Sequence, residues 1–102
     1  MIFLTQEDEL DINLSFFAIY LYAYWEPTHK KNILVINTIE QKYKIICFAI
    51  DVDYFKGLCR RFNAQSIPTI IIFNNGIEKG RCNKITISDI GDILNIKDKN
   101  NE

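Results

Sequence analysis

Trp25-Glu26-Pro27-Thr28-His29-Lys30 stands where a long apolar run ends and an amphipathic segment begins. Upstream, Phe16-Phe17-Ala18-Ile19-Tyr20-Leu21-Tyr22-Ala23-Tyr24 shows no polar alternation, the pattern of a central strand covered on both faces. Downstream, Ile33, Ile36, Ile39 and Tyr43 repeat at near-helical spacing, while Lys30, Lys31, Asn37, Gln41 and Lys42 supply a polar face. Ile33-Leu34-Val35-Ile36 taken alone would pass as a strand, but the wider spacing favours a helix over 27–43. The junction thus reads as a strand-to-helix turn. Pro27 is expected at the first helical position, where its missing N–H would have no partner anyway. Glu26 falls at or beside the N-cap, its charge facing the positive helix end.

Working outward, residues 45–52 form a second buried strand containing Cys47. Phe55, Leu58, Cys59 and Phe62 follow the spacing of a short amphipathic helix whose other face carries Lys56, Arg60 and Arg61. A third strand spans 67–73. Asn75-Gly76 then predicts a two-residue type I′ turn, because both central residues of that turn need positive φ. An antiparallel partner over 77–83 follows, near a sheet edge. Thr86 or Ser88 can cap a last helix with Asp89 and Asp92 in its first turn and Ile90, Ile93 and Leu94 inward. On the N-terminal side, residues 1–4 are a short strand candidate, and Thr5-Gln6-Glu7-Asp8 opens a short polar helix ending near 11–13. The order is an α/β one: a central mixed sheet with a parallel βαβ half, then a C-terminal antiparallel hairpin and a closing helix. One domain is expected over 1–96, with 97–102 a frayed polar tail.

Composition narrows the function classes. The chain has 102 residues, 48% of them hydrophobic and 13% aromatic, enough for one core. A net charge of −1 leaves no electrostatic footprint for nucleic acid or an anionic membrane, so neither is an expected partner. Gln6-Glu7-Asp8-Glu9 stands where a signal peptide would carry its hydrophobic region. The longest apolar run, 16–25, is about half a membrane span. Cys47, Cys59 and Cys82 are spaced as neither a disulfide framework nor a zinc site, and a reducing location, cytoplasmic or nuclear, is expected.

Element order and motifs together resemble the thioredoxin family, and the expected fold is its three-layer sandwich. Ala23-Tyr24-Trp25-Glu26-Pro27-Thr28-His29-Lys30 aligns with the family's Ala-x-Trp-Cys-Gly-Pro-Cys-Lys. Lys42-Tyr43, Asp51-Val52-Asp53, Pro68-Thr69 and the Asn75-Gly76 turn follow in register, with one short deletion near Lys44. The resemblance covers roughly 16–80. It implies a cis Ile67-Pro68 bond and a groove for an extended peptide formed by Trp25, Glu26, Pro27, Thr28, His29, Ile67, Pro68 and Thr69. The departures bear on activity. Glu26 and His29 occupy the positions of the two cysteines, and a carboxylate cannot replace an attacking thiolate. Tyr20 stands at the family's buried acid, Leu34 at its helix-kinking proline, and Lys84-Ile85 at the Gly-Ala pair beside the groove.

The resemblance therefore implies a redox-inactive, protein-binding module with no catalytic residue, metal or cofactor, acting as a monomer or as a subunit of a larger complex. Two alternatives stand beside it. Trp25-Glu26-Pro27-Thr28-His29 and Asn83-Lys84-Ile85 also look like the small thioredoxin-like branch of the spliceosomal tri-snRNP, which implies a role in pre-mRNA splicing. An enzyme with residual redox or transferase activity, an oxidoreductase with a non-standard thiol site using Cys82 or the Glu26/His29 pair, is the other.

Individual residues carry competing readings. Glu26 and His29, three apart at a helix start, could form an acid–base pair, or be a helix-capping carboxylate beside an exposed histidine. Two such ligands without a third are not a metal site. Asp51 and Asp53 are expected to solvate a strand end. Cys47 and Cys59 read as small core hydrophobes, leaving Cys82 as the exposed thiol. Trp25 is equally an interface anchor or a packing residue. Tyr20, Tyr22 and Tyr24 repeat with period two, placing three rings on one strand face.

Overall fold

A computed structural model describes residues 1–99, with side chains through 94. Its elements are β1 (Ile2–Phe3), a 3-10 turn (Glu7–Glu9), β2 (Phe16–Tyr22), α1 (His29–Tyr43), β3 (Ile46–Asp51), α2 (Lys56–Arg61), β4 (Thr69–Asn74), β5 (Ile77–Cys82) and α3 (Ile87–Lys99). The strands form one sheet in the order β1-β3-β2-β4-β5. β1 and β2 run parallel to β3, whereas β4 runs antiparallel to both β2 and β5. This is the expected mixed sheet.

The unbroken apolar runs have a structural cause in the two cores. On one face, Ala18 and Tyr20 of β2 join Cys47, Ala49, Ile70 and Ile72 beneath Ile36 and Ile39 of α1 and Ile90 and Leu94 of α3. On the other, Phe17, Ile19 and Leu21 join Phe48, Ile50 and Ile71 against Leu58 of α2. Alternate strand residues feed opposite cores, so no strand position needs to be polar.

Local chemistry sets several boundaries. Asn75 and Gly76 both have positive φ, 53° and 78°, as a type I′ turn requires. Opposite Ile72 and Phe73, β5 carries a register shift at Lys79, since Ile72 pairs with Gly80 and Phe73 with Glu78. Thr86 caps α3, its hydroxyl accepting the Asp89 N–H at 3.0 Å. Glu40 ties two segments together: one oxygen meets the Met1 amino group at 2.8 Å and the other accepts the Cys47 N–H at 3.0 Å.

Several expected boundaries are corrected. The short N-terminal helix is only the 3-10 turn, held by Glu9 Oε1, which accepts the Thr5 and Gln6 N–H groups. α1 begins at His29 rather than Pro27. β2 stops at Tyr22, so Tyr24 lies in a turn with 74% of its surface exposed and does not extend the tyrosine series. β4 starts at Thr69 because Pro68 has no N–H to give the ladder. α3 runs to Lys99, into the segment expected as a tail, and residues 100–102 of that tail lie outside the described ones. Among the described residues, no helix is long and apolar enough to cross a membrane.

Candidate functional site

The site is built where β2 runs into α1. The Glu26 N–H donates to the Ala23 carbonyl at 3.0 Å, and the His29 N–H to the Glu26 carbonyl at 3.1 Å, so residues 23–29 make two successive turns. In the second, Pro27 takes the position that its fixed φ suits, and Thr28 follows at φ −90°, ψ 0° as the third residue of a type I turn. The Glu26 carboxylate locks this turn by accepting the Thr28 N–H at 3.0 Å and the Thr28 hydroxyl. The first α-helical bond, from the Asn32 N–H to the Thr28 carbonyl at 2.8 Å, follows this turn, so α1 begins two residues after Pro27. Asn32, buried, donates from Nδ2 to Thr28 Oγ1 at 2.9 Å and braces the turn from below.

His29 does not face solvent freely. Its ring stacks on Tyr22 with centroids 4.5 Å apart and planes 8° apart, and its Nδ1 lies 2.9 Å from the Tyr20 hydroxyl. Glu26 and His29 are thus engaged with Thr28 and Tyr20 respectively, not with each other as an acid–base pair. Burial lowers the His29 pKa, with Glu26 and Asp51 pulling it back up. Burial pushes the Tyr20 hydroxyl up to about 12, the Asn32 amide working the other way.

Trp25, 60% exposed, donates its Nε1–H to Asp53 Oδ2 at 2.8 Å. Asp51 Oδ1 accepts the Asp53 and Tyr54 N–H groups, at 2.8 and 3.3 Å, and so shapes the loop that presents Asp53. These carboxylates organise a strand end, and Asp53 additionally orients the indole.

The opposite wall is the loop before β4. The Ile67–Pro68 peptide is cis. Asn83 Nδ2 reaches Ser66 Oγ at 2.7 Å, Thr69 Oγ1 at 2.9 Å and the Pro68 carbonyl at 3.3 Å. Thr69, 2% exposed, donates its hydroxyl to the Ser66 carbonyl at 2.6 Å. Between this loop and the start of α1 lies a groove of about 300 Å³ whose lining includes Glu26, Thr28 and Asn32 on one side and Pro68, Lys84 and Ile85 on the other. Of the residues expected to bind a partner, Glu26, Thr28 and Pro68 line this groove. Trp25 is turned toward Asp53, Pro27 is exposed on the turn, His29 faces the tyrosines and Ile67 is half-buried. Thr69 instead borders a polar recess on the far side of Asn83. Asn83, Asn32 and Ser66 are additions that the sequence does not mark as site residues, because their partners are distant or hidden.

None of the cysteines lies at the junction. Cys47 is buried and its thiol is pushed far up by desolvation. Burial, then Asp51 and Asp53, raise Cys59. Cys82, expected exposed, is half-buried against the α1–α3 core because β5 turns it toward that helix layer, and burial with Asp89 pushes it up to about 11. Among the described residues no group of three or more His, Cys, Asp or Glu side chains could hold a metal ion.

Comparison with known proteins agrees with this architecture. The thioredoxin family model matches residues 6–93. No curated protein matches the chain. Among solved structures, a mutant thioredoxin from Halobacterium salinarum is 18% identical with a TM-score of 0.82, covering 93% of this chain and 88% of its own. Thioredoxin NaTrxh from Nicotiana alata is 21% identical with a TM-score of 0.81, covering 94% and 90%. Oxidised thioredoxin from Plasmodium falciparum is 19% identical with a TM-score of 0.80, covering 94% and 96%.

Proposed function

From the premise that this chain belongs to the thioredoxin family, we propose that it works without thiol chemistry, as a module that binds an extended segment of another protein along the groove between α1 and Pro68. The observation that carries the reading is the state of residues 26 and 29. Glu26 is bonded to Thr28 and His29 to Tyr20, so the helix end that could activate a nucleophile holds an engaged carboxylate and an inward-facing imidazole. Exchange with a disulfide needs a thiolate. The nearest alternative, Cys82, has its thiol raised to about 11 and therefore stays protonated at neutral pH. The groove offers Pro68 and Ile85 as apolar contacts among polar side chains, a surface against which an extended chain can lie. Three unpaired cysteines go with a reducing compartment, cytoplasmic or nuclear.

The test has two arms. Reduction of insulin disulfides by dithiothreitol should run no faster with the protein than without it, and turnover that survives Cys82→Ser overturns the redox-inactive reading. Proximity labelling should recover a partner whose capture is lost with Pro68→Ala, a residue that lines the groove. Recovery of tri-snRNP proteins by that labelling would assign the chain to the spliceosomal branch instead.

A further inference from the structure

A second cleft opens beyond the carboxyl ends of the parallel strands β1, β2 and β3, where the connecting loops diverge and leave room for a ligand. It encloses about 310 Å³ and is lined by Leu4, Thr5, Tyr22, Asp51, Tyr54 and Phe55. Tyr22 and Asp51 are direct partners across β2 and β3, which sets a ring beside a carboxylate. Phe3 stands edge-on to Tyr22 at 5.8 Å, and Tyr54 edge-on to Phe55 at 4.7 Å. Tyr54 is 74% exposed although nothing in its chemistry as a loop residue requires a large ring there. The Leu4 N–H, bonded to the Ala49 carbonyl at 2.9 Å, fixes the remaining wall.

The charge of this cleft is negative and unmatched. Among the described residues the ion pairs are Met1 with Glu40 and Arg81 with Glu78, and neither involves Asp51 or Asp53. Both loop hydrogen bonds to Asp51 use Oδ1. Its charge is felt by Tyr22, His29 and Cys59, each of whose pKa it raises. Lys56, the next residue after Phe55, is exposed on α2.

Aromatic walls around a lone carboxylate select a cation with a flat, weakly hydrated face. We propose that this cleft receives the side chain of an arginine presented by a partner protein. The guanidinium pairs with Asp51 and stacks on Tyr54, and the aliphatic stem lies against Leu4 and Phe55. A compact, strongly hydrated ammonium would use the carboxylate but not the rings as well. The cleft shares no lining residue with the Pro68 groove and does not rest on the function proposed above.

Titration of the 15N-labelled full chain with the peptide acetyl-Gly-Arg-Gly-amide tests this. Saturable shifts of the Asp53, Tyr54 and Phe55 amides are expected, with none from the isosteric citrulline peptide. Asp51→Asn keeps the Oδ1 acceptor for the loop, so the fold survives, and should weaken binding about fivefold or more. Tyr54→Ala, at an exposed position, should weaken it about two- to fivefold. Absence of saturable shifts, equal shifts from the citrulline peptide, or unchanged affinity in both variants overturns the proposal. Equal affinity for the lysine peptide overturns the choice of arginine.

Discussion

The Tyr20 hydroxyl lies 2.9 Å from Nδ1 of His29, the first residue of α1, so a strand and the following helix are joined by one side-chain hydrogen bond. With its pKa raised to about 12 by burial, the hydroxyl keeps its proton at neutral pH and can donate it to Nδ1 of a neutral ring whose own proton is on Nε2. Stacking on Tyr22 completes a cluster of three rings, with a helix residue supplying the ring that Tyr24 does not.

Burial of the ring favours the neutral imidazole, against the pull of the Glu26 and Asp51 charges. The His29 pKa should therefore fall below the ordinary histidine value in the folded protein. The chain has a single histidine, so its carbon-bound ring proton can be followed by NMR without assignment ambiguity. Between the folded and unfolded pKa values the unfolded state binds more protons, so stability rises with pH across that window. The contribution of His29 is present above about 6.5 and is lost as pH falls to the folded value. Tyr20→Phe removes the donor and should move the histidine pKa upward. An unchanged value would show that the hydroxyl does not donate.

Thiol reactivity should be uniformly low. A Cys82 pKa of about 11 leaves about one thiolate in ten thousand at pH 7, roughly a hundredfold fewer than an unperturbed group of pKa 9. Cys47, fully enclosed, should react only on unfolding. Native protein mixed with Ellman's reagent should show no fast phase, and all three thiols should titrate at once in denaturant. A stoichiometric burst from native protein would mark an activated cysteine.

The two-faced apolar runs make the sheet legible, because Phe17 and Ala18 serve different cores and neither can be polar. Asn75-Gly76 is legible for a purely local reason, the need for positive φ. What the sequence conceals depends on contacts across the chain. Trp25 meets Asp53 from 28 residues away, and Asn83 meets Ser66 from 17. Periodicity places the start of α1 two residues early because residues 26–29 close a separate turn, held by Glu26, before the first helical bond from the Asn32 N–H to the Thr28 carbonyl. Helical spacing carries no information about such a grip.

Asn83 holds the Pro68 loop by side-chain contacts to Ser66, Thr69 and the Pro68 carbonyl. Asn83→Ala should lower stability by about 1 kcal/mol, since a surface-proximal hydrogen bond contributes on that order. The neighbouring Lys84 is exposed and should tolerate Lys84→Ala within about 0.5 kcal/mol. Urea denaturation of the two variants separates loop bracing from a general effect of truncating the segment before α3. Equal losses would remove the special role of Asn83.

Gly91 lies within α3, and helix propensity alone says that Gly91→Ala should stabilise by about 1 kcal/mol. The packing opposes that gain. A Cβ added at Gly91 would lie 2.9 Å from the Tyr43 hydroxyl oxygen, closer than such atoms approach, and the half-buried Tyr43 ring would have to shift. Gly91→Ala should therefore be near neutral or destabilising in the wild-type background. Combined with Tyr43→Phe, which deletes the obstructing oxygen, the same substitution should recover most of the propensity gain. A coupling of about 0.5–1 kcal/mol in the double-mutant cycle, read by urea denaturation, is the expected result. A full gain in the wild-type background would mean that α1 and α3 are not packed through Tyr43 at this point.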